Sequence, residues 1–334
     1  MINNVGTNSG NDRPVEPMAD GYVPLATVTR SGLTEGAHHG AVVVRSATGD
    51  VAYAAGDVDA AMYPRSANKP MQAAGMVTCG LDLDDASLAL VGASHSGEPF
   101  HVAGVTAILA AVGLTPVDLQ NTPHLPLHEP SARAAIRRGE AESSVMADCS
   151  GKHAGLLATC VLNGWSTSEY LDVEHPLQVR LRDVLADLAG EPVAHDGVDG
   201  CGAPLWAISL SGLARAFAAC TTADVVTSQR RVADAMRAHP QNVGGTGRDV
   251  TRFMQAVPGL LAKEGAEGVY AAALPDGRAV ALKIAGGSYP AAQVVLAAAL
   301  VRAGVDPAAV APLATTPVLG HGRLVGELRA RLPG

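Results

Sequence analysis

At the two ends of the chain, apolar residues alternate with polar ones or cluster in short β-branched runs. In the middle they recur every three or four positions. The first pattern predicts strands over 23–30, 41–44 and 51–55, with Ser46-Ala47-Thr48-Gly49-Asp50 as the turn before the last, and a second hairpin over 268–274 and 278–284 across Pro275-Asp276-Gly277. The second pattern predicts helices over 70–80, 101–112, 130–138, 152–163, 176–189, 203–219 and 223–238, each bounded by Gly, Pro, Asp or Thr, and a further helix over 288–303 beyond the C-terminal hairpin. Pairing hairpins from opposite ends, with helices inserted between them, gives an α+β fold with one antiparallel sheet. The expected layout is one unit of two interlocked lobes, a sheet lobe at about 21–65 and 255–334 and a helical lobe at about 66–254, with a cleft along their junction. Residues 1–20 are polar and rich in Asn, Gly and Pro, with no basic residue before an apolar run, and read as a disordered tail, not a signal peptide.

Composition narrows the classes. At 334 residues, 48% hydrophobic and 17% charged, the chain can bury a large core. A net charge of -8 and only 3% aromatic residues argue against a nucleic-acid partner, which calls for a basic face and stacking rings. No unbroken apolar run reaches membrane-spanning length. Five widely spaced cysteines, an odd number, suit a reducing cytoplasm with free or metal-bound thiols better than a disulfide framework.

Lysine use is the sharper signal. Of 24 basic residues only Lys69, Lys152, Lys263 and Lys283 are lysine. A chain that covers its surface with arginine keeps lysine where an amine able to lose its proton is needed. Lys69 follows Ser66 by three residues, nearly one helical turn, so hydroxyl and amine share a face: either a helix cap beside a solvated lysine, or a nucleophile and its base. Such a lysine accepts a proton only if burial or a second cation lowers its pKa.

Four further stretches carry candidate chemistry. Gly92-Ala93-Ser94-His95-Ser96-Gly97-Glu98 follows the apolar run 88–91 and is either an ordinary turn or a hydroxyl delivered to the end of a buried element. Asp148-Cys149-Ser150-Gly151-Lys152-His153 and Asp199-Gly200-Cys201-Gly202 each put a cysteine in a Gly-flanked turn before an expected helix, where the helix dipole favours thiolate. Two thiolates and a nitrogen make a zinc site, with His153 the nitrogen favoured by residue type; the alternative is that both cysteines are small buried hydrophobes. Lys283 lies on an alternating strand before a glycine turn, at a solvated edge or lining a cleft.

Taken together, Arg65-Ser66-x-x-Lys69-Pro70, Ser94-His95-x-Gly97-Glu98, Cys149-Ser150-Gly151-Lys152-His153, Asp199-Gly200-Cys201-Gly202, His239-Pro240-x-x-Val243-x-Gly245-x-x-Arg248 and Lys283-Ile284 occur in the order and approximate spacing of the L-asparaginase II family, which the chain resembles from about Val23 onward. The resemblance implies a serine β-lactamase/glutaminase-like fold and hydrolysis of the side-chain amide of L-asparagine. It implies two Ser-Lys pairs, Ser66 with Lys69 and Ser94 with Lys283, with Ser66 as the attacking hydroxyl. It implies a Zn2+ ion on Cys149, Lys152 and Cys201, which replaces His153 as ligand and moves it, with Asp199, beside the metal and substrate. Arg65 or Arg248 would face the substrate carboxylate, Lys263 would be a surface residue, and the protein would be a cytoplasmic homodimer. One departure is that Ala285-Gly286-Gly287 stands where the family carries an acidic residue before the glycine. Other readings are a glutaminase, a β-lactamase-like hydrolase and a non-catalytic zinc-dependent binding protein.

Overall fold

The computed structural model of the protein describes residues 21–334, and the expected tail over 1–20 lies outside the described residues. Eleven strands occur among them: β1 (Val23–Arg30), β2 (Leu33–Arg45), β3 (Val51–Ala55), β4 (Ala61–Met62), β5 (His195–Val198), β6 (Pro204–Ser209), β7 (Leu261–Gly265), β8 (Val269–Ala273), β9 (Ala279–Ile284), β10 (Thr315–Gly320) and β11 (Arg323–Ala330). The helices are α1 (Lys69–Thr78), α2 (Asp85–Val91), α3 (Pro99–Ala111), α4 (Glu129–Arg137), α5 (Ser150–Asn163), α6 (Pro176–Ala189), α7 (Leu210–Thr222), α8 (Ser228–Ala238), α9 (Pro240–Val243), α10 (Asp249–Ala256), α11 (Tyr289–Arg302) and α12 (Pro307–Val310).

The main sheet is antiparallel, in the order β10-β11-β1-β2-β9-β8-β7, with β3 also paired to β2. It therefore joins the two ends of the sequence as expected: Gly40 to Arg45 of β2 align with Ile284 to Ala279 of β9. The central strands are rich in Ala and Val and buried on both faces, because α7 and α11 both pack against β8 and β9. A second, three-stranded sheet has the order β4-β6-β5. Among the described residues, no helix is long and apolar enough to cross a membrane.

Three elements differ from expectation. The helix expected over 203–219 begins only at Leu210, because Pro204–Ser209 is a fully buried strand that pairs with β5 and β4. Consequently Cys201 sits in a turn ahead of a strand, not at a helix start. The sheet also gains the hairpin β10-β11 at one edge, where Pro317 is tolerated, and β7 at the other.

Candidate active site and thiol cluster

A short 3-10 turn, Arg65–Asn68, leads into α1, so Ser66 stands on the turn and Lys69 opens the helix. Arg65 adopts φ 51°, a left-handed conformation that a side-chain-bearing residue occupies only when its surroundings hold it there. The holding contact is an ion pair: Arg65 Nε donates to Asp199 Oδ1 at 2.7 Å, and Arg65 Nη1 lies 4.0 Å from Glu267 Oε1. β7 runs so close beneath this turn that a Cβ on Gly265 would lie 2.5 Å from the Pro64 carbonyl oxygen. The hydroxyl of Ser66 is half-buried and has no hydrogen-bond partner among the described residues.

The end of α2 delivers Ser94. Its backbone N–H donates to Val243 O at 3.1 Å, that of His95 donates to Asp148 O at 3.0 Å, and Ser96 Oγ donates to Gly244 O at 2.7 Å. His95 Nδ1 accepts from the Gly97 N–H at 3.1 Å, so Nε2 carries the proton and faces Ser150 Oγ at 2.9 Å. Burial, then the neighbouring His101, Lys69 and Arg248, hold His95 well below the usual imidazole range and keep it neutral. The result is a rigid loop that fixes one oxygen.

That oxygen lies between two amines. Lys69 Nζ is 3.0 Å from Ser94 Oγ and 2.7 Å from Ala93 O, and Lys263 Nζ is 2.8 Å from Ser94 Oγ. Both lysines are buried, at 1% and 0% exposure. A hydroxyl has two acceptor sites and one proton to give, and among the described residues the amines are the only groups in reach of that proton. Both amines are placed to donate to this oxygen. Burial lowers the Lys263 pKa to about 8, with Lys69 and Arg248 pushing the same way against Glu264, which brings this amine within reach of acting as a proton acceptor near neutral pH.

The expected partner of Ser94 was Lys283, with Lys263 on the surface; the structure reverses the two. Lys263 is fully buried on β7, whereas Lys283 is half-buried and donates to the Glu267 carbonyl at 2.8 Å, on the Arg65 side of the site. The sequence signal for Lys263 was its scarcity among the basic residues together with the apolar run Leu260-Leu261-Ala262 before it. The Glu264 that follows masked it.

Next to Lys69, whose Nζ is 3.9 Å from Asp148 Oδ2, lies a buried group of two thiols and an imidazole. The ligating atoms of Cys149, His153 and Cys201 are all within 4.8 Å of one another. His153 Nδ1 is held by the Tyr170 hydroxyl at 2.9 Å, and Nε2 is buried without a partner among the described residues. Lys152 Nζ stands 3.2 Å from Cys201 Sγ, so both candidate nitrogens flank the thiols. The Cys149 thiol hydrogen-bonds Cys201, which, with Lys152 beside it, pulls the Cys201 thiol far down. That shared bond and burial push Cys149 up. Burial and the Lys152 charge lower His153 to about 4, so its imidazole is neutral. Burial opposes the charge on Lys152, but the sulfurs of Cys201 and Cys149, with Asp199, outweigh it and raise its pKa.

A zinc ion fits these residues, since thiolates and a neutral imidazole oriented through its other nitrogen are the donors zinc prefers. Asp199 stands on Arg65, and its Oδ1 also accepts the Gly200 N–H at 2.8 Å; it thereby ties the Ser66 turn to the turn that carries Cys201. Arg248 is committed elsewhere, donating to Glu264 Oε1 at 3.1 Å.

On this α+β scaffold, the Ser94 hydroxyl thus lies between two buried amines. The L-asparaginase II family model matches residues 26–330, and the chain belongs to that family. Among solved structures, the chain is similar to Mglu in its native form, with 16% identity, a TM-score of 0.43, and coverage of 78% of this chain and 63% of that one. A β-lactamase from Mycobacterium bovis matches with 14% identity and a TM-score of 0.42, over 82% of this chain and 95% of that one. The chain thus spans less than two thirds of the length of Mglu. The comparison with curated proteins gives no match.

Proposed function

We propose that the protein is an amidohydrolase that converts L-asparagine to L-aspartate and ammonia through an acyl-serine. The observation that carries this is the Ser94 hydroxyl held between Lys69 and Lys263, at 3.0 and 2.8 Å, with Ser66 open on the adjoining turn. Family membership supplies the substrate class.

In this reading Ser66 Oγ attacks the side-chain amide carbon and its proton passes to Lys69, three residues on at the start of α1. Ser94 relays the proton between Lys69 and Lys263. The ammonium so formed protonates the departing amide nitrogen, which leaves as ammonia, and water then cleaves the ester by the same path in reverse. The division of labour follows exposure: the half-buried hydroxyl attacks and the clamped one conducts. Arg65 and Lys283, which meet at Glu267 beside the Ser66 turn, face the substrate α-carboxylate. When bound by Cys149, Cys201 and a nitrogen of His153 or Lys152, zinc supplies a positive charge that orients the substrate.

Ammonia release is measured with asparagine, glutamine and a chromogenic β-lactam. Turnover of asparagine above the other two supports the proposal. A one-methylene difference is worth only about 1–3 kcal/mol, so glutamine is the demanding control. Preference for glutamine or the lactam, or turnover of none, refutes it.

A further inference from the structure

Behind Lys263 is a charge arrangement that the reaction above does not use. Glu264 is 1% exposed, and its two oxygens serve opposite partners: Oε2 lies 3.2 Å from Lys263 Nζ, and Oε1 accepts from Arg248 Nη2 at 3.1 Å. Lys263 also donates to the Glu264 carbonyl at 2.7 Å. The groups facing this trio are Lys69 from α1, Asp249 at the start of α10, Tyr270 from β8, Tyr289 from α11 and, toward Arg248, His95 and His101. Asp249 Oδ2 and the Tyr270 hydroxyl are buried without partners among the described residues. Buried ion clusters of this kind contribute little to stability, because removing the charges from water offsets their attraction.

Counting charge explains the arrangement. With Glu264 ionised and Arg248 protonated, the pair sums to zero, and an ammonium on Lys263 would add an unbalanced charge next to Lys69. Without Arg248, the Glu264 carboxylate would be free to balance that ammonium.

We propose that Arg248 occupies one oxygen of the Glu264 carboxylate so that Lys263, left with an anion it must share, stays able to accept a proton; Arg248 and Glu264 are positioning residues that act through Lys263. The lowering of the Lys263 pKa to about 8 agrees, since burial is its main cause, with Glu264 opposing and Arg248 assisting. Asp249, raised to about 6 by burial and by Glu264, acts on Arg248, and its charge is constant where Lys263 titrates. The proposal rests on Lys263 as the proton acceptor of the proposed function.

The test uses the full chain and needs no substrate. Because it has four lysines, 13Cε-lysine NMR gives four signals, assignable with single Lys→Arg variants. Arg248→Met is expected to raise the Lys263 midpoint by about one unit, and Glu264→Gln to lower it by about one unit. Arg248→Lys should stay near the parent, and the double variant R248M/E264Q should return toward it. In ammonia-release assays R248M should lose about tenfold in kcat near pH 7 and regain it at higher pH, as the neutral fraction of Lys263 dictates.

Midpoints that stay fixed, or that move the same way in R248M and E264Q, overturn the proposal. So does an R248M variant with raised KM and an unmoved midpoint, which would make Arg248 a substrate contact. If R248M does not fold, opposed behaviour of E264Q and R248K decides. Should the NMR midpoints move as expected while asparagine is not hydrolysed, the charge arrangement stands and the proposed reaction falls.

Discussion

The protein buries two pairs of ionisable groups side by side, and the pairs resolve the crowding in opposite ways. At Ser94 the neighbours are two amines, and neither has an anion to itself: Glu264 is shared with Arg248, and Asp148 is 3.9 Å from Lys69. Burial lowers one of them, Lys263, to about 8. At Cys149 and Cys201 the neighbours are two thiols with an ammonium at 3.2 Å, and one thiol becomes a thiolate. Like groups packed together thus yield a base in one place and an anionic pocket for a cation in the other. Burial dominates at the amine, whereas the bond between the two sulfurs, helped by Lys152, dominates at the thiol.

The strongest test of this contrast is Lys263→Met. Loss of the neutral amine should lower kcat by about 10²–10⁴-fold, whereas Lys283→Met should act mainly on KM. Equal losses of kcat in both variants, in steady-state assays with asparagine, would restore Lys283 to the proton path.

Cys149→Ala comes next. It should cut zinc affinity by about 10–100-fold or more in competition titrations and raise KM more than it lowers kcat. Comparing Lys152→Met with His153→Gln by metal content then identifies the nitrogen, because only the true ligand should match the Cys149 variant.

The pH dependence of the lysine clamp follows from one sign. The folded Lys263 pKa, about 8, lies below its ordinary 10.5, so between these values the unfolded chain holds a proton that the folded chain does not. Stability carried by this group therefore rises with pH across that window and is penalised below it. Denaturation curves of the protein and of Lys263→Met should diverge by roughly 3 kcal/mol over pH 8 to 10.5, and kcat should rise toward a midpoint near 8.

The smallest effect is expected at Gly265→Ala. Its Cβ would meet the Pro64 carbonyl at 2.5 Å and the Ala67 nitrogen at 3.0 Å, forcing the Ser66 turn outward. A loss of about 1–3 kcal/mol in thermal unfolding, with reduced kcat and unchanged metal content, would show that the turn and the thiol cluster are separable.

How far the chain could be read in advance differs between the two regions for the same reason. The thiol cluster was legible because its residues lie in short motifs, Cys149 to His153 and Asp199 to Gly202, each with local glycine signals. The helices α1, α3, α4, α5 and α6 were legible because their 3.6-residue periodicity is local, whereas the short α2 read only as the apolar run 88–91. Lys263 was not, since only its pairing across 169 positions with Ser94 buries it, and Lys-Glu in a strand ordinarily reads as solvated. The strand Pro204–Ser209 was hidden by a helix-like apolar spacing that burial between β5 and β4 overrides. The edge hairpin β10-β11 was missed because its two strands are only partly buried and give a weak alternation. In each case long-range pairing, absent from any local window, decided the outcome.

The order of the strands has a temporal meaning during synthesis. A nascent chain emerging up to α10 already owns Ser66, Lys69, Ser94 and both thiols, yet lacks the second amine that β7 carries. Under the proposed mechanism, proton transfer through the Ser94 clamp awaits docking of the late strands, so competence for hydrolysis would report that the sheet has closed.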